Sequence, residues 1–149
     1  MTDDDPVSPV EVAAVLGMDE GDLAGFLAGP FAPDLPDGRM RLRVALGAFI
    51  LSSLAAREAM SPGLGVAIAV EAANGARIGG DASLLVAWRG LKPATCWING
   101  DPARPPVDPL ESLGSPLRQP LVVIPADGMF TDLARGIEAM RERPKMRSH

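Results

Sequence analysis

The 149-residue chain holds few of the side chains that commonly do chemistry, with one cysteine and one histidine. Cys96 stands beside Trp97 in the apolar run ATCWIN (94–99), which predicts a packed thiol rather than a nucleophile. His149 is the final residue and is expected in a flexible tail without a catalytic or metal-binding role. One Cys and one His cannot assemble a zinc set. DGMFTD (127–132) carries two carboxylates at an expected strand-to-helix junction, where Asp132 or Thr131 reads as a helix cap. GLGVAIA (63–69) lacks both the preceding strand and the Gly spacing of a dinucleotide-binding fingerprint, so helix packing accounts for it. No enzymatic activity, cofactor or metal is therefore expected.

Cationic chemistry is the stronger signal. In GRMRLR (38–43), Arg39, Arg41 and Arg43 alternate with Met40 and Leu42, a period of two that fits a short strand or the entry to a helix. Three guanidinium groups so spaced are suited to phosphate or to the minor groove of DNA, with Arg57 as a further contact. Arg135 and Arg141 are expected on the exposed side of the last helix, ahead of Arg143, Lys145 and Arg147 in a basic tail. Residues 8–29, SPVEVAAVLGMDEGDLAGFLAG, are the opposite: four acids and no base. Trp88 and Trp97, on a proposed hairpin, are expected in a core or dimer interface rather than stacked on bases.

Composition narrows the setting. The hydrophobic fraction of 47% is enough for a core, while aromatics make up only 4% and Tyr is absent, so that core must rest on Leu, Val, Ile, Ala and Met. The net charge of −5 argues against a protein that coats nucleic acid. Residues 1–60 hold ten acids and four bases, and the remainder nine acids and ten bases, so a local basic patch is compatible with the total. A single Cys excludes an intrachain disulfide. The acidic start MTDDDPVSP is unlike a secretory signal, and the apolar stretches near 44–56 and 64–70 are too short for a bilayer. A soluble cytoplasmic protein without a membrane partner is expected.

The elements that must position these residues follow from local grammar. Residues 1–7 read as a frayed tail. Ser8, Pro9 and Glu11 form a helix start with a capping box, and Gly17 ends that helix. Asp19 caps a second helix expected to reach about Ala28, stopped by Gly29 and Pro30. A helical pattern runs from Leu42 to Met60, and Ser61-Pro62 opens another helix over 61–74. After Gly79-Gly80 the period changes: residues 84–89 and 94–99 read as two hairpin strands, and LVVIP (121–125) as a short central strand. Asn99-Gly100 marks a turn, and six prolines make 101–120 an irregular excursion. A turn at Ala126–Gly128 is expected before a last helix over about 130–142.

Ala13, Gly17 and Leu23 stand at offsets of zero, four and ten, the spacing that lets two helices of a helix-turn-helix approach. With the Pro-containing loop PFAPDLPDG, the Arg-rich RMRLR and the helices after it, residues 8–75 resemble the MerR-like winged helix-turn-helix, most of all its divergent prophage and bacterial members. Two departures stand out. The second helix presents Glu20, Gly21, Asp22, Ala24 and Gly25 where the family presents Arg and Tyr, and the wing keeps Gly38 and Arg39 but has no Tyr.

The resulting expectation is an α+β protein. Residues 1–78 form a winged helix-turn-helix domain, and 79–149 a small strand–strand–strand–helix unit for dimerisation or effector response. The resemblance implies a DNA-binding transcriptional regulator acting as a homodimer. Affinity would come from Arg39, Arg41, Arg43 and Arg57, with Asp22 accepting a hydrogen bond from cytosine. The alternative is a protein-interaction module, a helix-turn-helix that binds a repressor, a polymerase subunit or a phage component.

Overall fold

The helix starts are set by side chains within reach of their own turn. The computed structural model describes residues 1–56, 61–89, 92–99 and 121–147. In helix α1 (Pro9–Leu16), the Ser8 hydroxyl accepts from Glu11 N–H at 3.2 Å, and the Glu11 carboxylate accepts from Ser8 N–H at 3.0 Å. Gly17 takes φ 63° and returns its N–H to the carbonyls of Ala13 and Ala14, a left-handed cap that an L side chain would strain. Asp19 then caps α2 (Glu20–Ala24) through Gly21 N–H at 3.0 Å.

The second helix is shorter than the sequence predicts. After Ala24 the bonds tighten to three-residue spacing, Phe26 N–H to the Leu23 carbonyl and Leu27 N–H to that of Ala24. Gly21 and Gly25 each weaken a helix by about 1 kcal/mol relative to Ala, and Pro30 bars its continuation past Gly29.

The opening residues are paired rather than frayed. Strand β1 (Pro6–Val7) runs antiparallel to β2 (Met40–Arg41), with Val7 opposite Met40 and both side chains fully buried. Leu42 and Arg43 donate their N–H groups to the carbonyls of Asp5 and Asp3 at 3.0 Å. The expected Arg-rich wing strand is thus reduced to two residues matched to the N-terminus. Arg43 already belongs to the first turn of α3 (Leu42–Ala55). Helix α4 (Pro62–Gly75) packs on α3 and is capped by Ser61, whose hydroxyl accepts from Leu64 N–H.

The sheet is antiparallel in the order β4-β3-β5, from β3 (Ala82–Arg89), β4 (Lys92–Asn99) and β5 (Leu121–Ile124). The predicted hairpin is present, with Leu84 opposite Trp97 and Val86 opposite Thr95. β3 is central and β5 lies beside it, reversing the expectation that LVVI holds the middle. The physical reason is burial: β3 is buried without a break from Ser83 to Trp88, whereas β4, equally long, is largely exposed or half-buried and β5 has four residues. The Pro-rich stretch 101–120, Gly100 and His149 lie outside the described residues.

Helix α5 (Ala126–Arg147) starts directly after Pro125, with no intervening turn, because the Pro125 carbonyl accepts from Met129 N–H at 2.9 Å. Its buried Asp127 accepts from Arg77 N–H at 2.7 Å and Ala82 N–H at 2.9 Å. The Thr131 hydroxyl accepts from Gly79 N–H at 2.8 Å and donates to the Asp127 carbonyl at 2.9 Å. Asp127 and Thr131, rather than a simple cap, therefore fasten the α4–β3 connection. Gly80 is required there, since a Cβ would collide with the Asp127 carboxylate.

The fold is α+β, and one hydrophobic core crosses the division expected at residue 78. Val12, Leu46 and Ile50 of the opening helices share it with Leu84, Val86 and Ile124 of the sheet and with Phe130, Leu133 and Ile137 of α5.

Asp127→Ala should cost on the order of 3 kcal/mol in urea unfolding, because two backbone donors lose their acceptor. Gly80→Ala should be destabilising in the native background and nearly neutral in the Asp127→Ala background. Additive effects in that cycle would contradict the contact.

Candidate functional site

Of the predicted pair, α1 buries Val12 and Ala13 and α2 buries Leu23, so the close helix approach inferred from Ala13, Gly17 and Leu23 is present. What α2 leaves in solvent is Glu20, Gly21, Asp22 and Ala24. At 1.5 Å per residue its 5 residues extend only about 7 Å. Its exposed side therefore offers two carboxylates on a stub little more than one turn long.

The three arginines do not form one ribbon. Arg39 is exposed, ahead of β2. Arg41 is exposed beside Asp34, with Nε 3.5 Å from Oδ2, while its N–H donates to Oδ1 at 3.1 Å. Arg43 is turned inward. Nη1 donates to the carbonyls of Ala73, Asn74 at 3.2 Å and Ala76 at 3.0 Å. Nη2 donates to Asp3 Oδ2 at 2.7 Å, and the guanidinium lies 5.2 Å from the centroid of the Phe130 ring.

This placement has a clear cause. The last carbonyls of α4 have no intrahelical donor and carry the negative end of the helix dipole, and a forked cation meets several at once. The hydrogen bond from Arg43 in turn holds the Asp3 carboxyl below its ordinary pKa. Arg43, expected as a phosphate contact, serves in the fold as a helix-end cap. Asp22 is exposed on α2, and Arg57 lies outside the described residues.

Arg141 is likewise engaged. Its Nε and Nη2 donate to Glu11 Oε2 at 2.6 Å and Oε1 at 3.1 Å, and Nη2 also donates to the Pro6 carbonyl at 2.8 Å. This bidentate pair ties α5 to α1, lowers the Glu11 pKa and raises that of Arg141. Arg141 lies on the exposed side of the last helix, as the sequence predicts. Nothing near it in the chain signals a partner 130 residues away.

Two of the depressions around these elements differ in character. One, of about 270 Å³, brings Asp4, Asp34, Arg41 and Arg43 together, so its charges offset one another. The other, of about 380 Å³, is apolar and lies where the end of α2 meets α3 and α4, lined among others by Phe26, Leu51, Leu54 and Val66. Cys96 is half-buried, Trp88 is buried and Trp97 covers Gly75 at the end of α4. Among the described residues no three His, Cys, Asp or Glu side chains group as metal ligands, and no helix is long and apolar enough to cross a membrane. Neither known protein-family models nor curated proteins give a match to the chain.

Arg43→Met should lower stability by about 2–4 kcal/mol in urea unfolding, through the uncapped carbonyls and the unpaired Asp3, and Arg43→Lys should recover less than half of it. The Glu11–Arg141 pair has its own signature. A carboxyl with a depressed folded pKa stabilises the fold above its unfolded value, and that contribution is lost as pH falls through the folded value. Thermal unfolding from pH 7 to pH 3 should therefore show a loss of stability below about pH 4. Glu11→Gln should shrink that loss while keeping the capping box.

Proposed function

We propose that the chain is a protein-interaction module of a regulatory assembly, presenting its helix-turn-helix pair to a basic partner rather than to DNA. The observation that carries this reading is the charge of α2: Glu20 and Asp22 are exposed, and residues 8–29 contain no base. A recognition helix in the major groove sits between two rows of phosphates. There each acid within about 4–6 Å of a phosphate meets a repulsion of roughly 1 kcal/mol even at the dielectric of water. A hydrogen bond from cytosine to Asp22 would add selectivity without affinity. Against a basic protein surface the same two acids become favourable, and they steer the encounter.

A second reading keeps the DNA-binding regulator of MerR-like type, acting as a homodimer. It is favoured by the exposure of Arg39 and Arg41 on the segment leading into β2. With Arg43 engaged by α4, Arg39 and Arg41 remain of the predicted ribbon, and Arg57, the further expected contact, lies outside the described residues. Two phosphate contacts give a salt slope of only about −2 in log K per log salt. That is a weak hold unless a second copy doubles it.

Gel shifts with the chain's own promoter region at about 50 mM and 200 mM salt separate the two readings. The interaction reading expects no retention by the native chain at either salt, and retention of any duplex by Glu20→Lys/Asp22→Lys. It also expects a specific protein recovered by the native chain in affinity purification and lost from that double variant. Sequence-selective retention that disappears in Arg39→Ala/Arg41→Ala would select the DNA reading instead.

A further inference from the structure

We propose that Asp3 and Asp4 act as an internal competitor at an oxyanion site made by Arg41, Arg43 and Arg77, which takes a small polyphosphate when their carboxylates swing away. This goes beyond the interaction reading and shares no residue with the acidic side of α2. The two halves of the Arg43 guanidinium do different work. Nη1 donates to the carbonyls of Ala73, Asn74 and Ala76 and is committed to the fold. Nη2 donates to a side chain, the Asp3 carboxylate, at 2.7 Å. The Arg43 side chain is 26% exposed and that of Asp3 43%, so water reaches their contact. Loss of Asp3 would therefore leave the guanidinium held in place with one corner open.

Arg43 lines a depression on each side. In the one of about 270 Å³ it meets Asp4, Asp34, Arg41 and Asn74. In another, of about 360 Å³, it meets Thr2, Asp3 and the exposed Arg77. Arg41, Arg43 and Arg77 are balanced by Asp3, Asp4 and Asp34, and withdrawing Asp3 and Asp4 leaves two positive charges. Guanidinium groups bond phosphate as strongly as carboxylate, so exchange keeps the charge-assisted bond. Two depressions flanking one guanidinium suit an anion with more than one phosphoryl group. Arg43, turned inward, is reached by a small anion more readily than by the backbone of a duplex.

The two competing carboxylates can leave without unfolding the segment that carries them. Residues 2–5 form a turn closed on itself, Asp5 N–H donating to the Thr2 carbonyl at 3.2 Å and Thr2 N–H to the Asp5 carboxylate at 2.8 Å. Asp3 and Asp4 are the middle residues of that turn. The backbone is pinned separately by the N–H groups of Leu42 and Arg43 on the Asp5 and Asp3 carbonyls. Rotation of the Asp3 side chain is thus enough to vacate Nη2. Tethering gives the internal carboxylates an effective concentration on the order of millimolar or above, so an external anion binds weakly while they are in place.

The test is calorimetric titration of the full chain with sodium tripolyphosphate at about 50 mM salt. Asp3→Asn/Asp4→Asn should bind about tenfold or more tighter than the native chain, and added salt should shrink that gain. Arg41→Ala or Arg77→Ala in the double-variant background should each remove most of the gain. Asp132→Asn/Glu142→Gln changes the net charge equally, away from the site, and should bind as the native chain does. Should the double variant fail to fold in urea titration, Asp4→Asn alone keeps the Asp3–Arg43 bond and should still tighten binding about threefold. No gain in a folded variant would overturn the proposal, as would an equal gain in Asp132→Asn/Glu142→Gln. A gain that survives both arginine replacements would overturn the site, and a gain for duplex DNA but not for tripolyphosphate would overturn the stated ligand.

Discussion

Helix α4 ends against the rest of the protein with carbonyls that no residue of its own can satisfy, and the guanidinium of Arg43 supplies their donors. Much of the architecture follows from that contact. A cation drawn that far inward needs a counter-charge, and Asp3 provides it. Bringing Asp3 to Arg43 draws the first residues of the chain across the start of α3, where the Asp3 and Asp5 carbonyls accept from Arg43 and Leu42. The same path lays Val7 against Met40. The flat face of the guanidinium is covered by Phe130, so α5 is held to the same point. Hydrogen bonds to a charged group are stronger than neutral ones, and Arg43 focuses several of them on one side chain.

Arg141 and Asp127 repeat this logic at either end of α5. Both act on backbone groups as well as side chains: Arg141 on the Pro6 carbonyl, Asp127 on the N–H groups of Arg77 and Ala82. Loops carry unpaired main-chain groups that must be satisfied once buried. A charged side chain from a distant helix satisfies them and fixes that helix in the same step. One continuous core therefore spans the change of pattern near residue 78. The change marks a switch from helical to strand periodicity, with no gap in packing.

The elements legible in the sequence are those whose determinants lie within three or four residues. Ser8 with Glu11, Gly17 after Leu16, Ser61 before Pro62, and the alternation through β3 and β4 all announce themselves locally. Asp127 hid because its partners lie 45 and 50 residues away, and a carboxylate at a helix start has an ordinary local explanation as a cap. The middle place of β3 was hidden by the apolar run LVVI, whose composition suits a central strand as well as a short flanking one. The length of α2 depended on two glycines whose cost is small singly and decisive together in so short a helix.

The candidate site was half legible for a related reason. Sequence shows how many guanidinium groups a segment carries, but a surface is made of those left over after the fold has taken what it needs. Arg43 is drawn inward by bare carbonyls and by Asp3, and Arg141, though exposed, is held by Glu11 and the Pro6 carbonyl. The acids of α2 have no such call on them, because Asp19 alone caps that helix and its neighbours Glu20 and Asp22 are free to face solvent. The folded chain is therefore more acidic around the helix pair than the period-two arginines imply, although the net charge is the same. A resemblance in the order of elements survives that redistribution, and the polarity of the face it presents does not. It is the polarity that fixes whether a polyanion or a basic protein is the better neighbour.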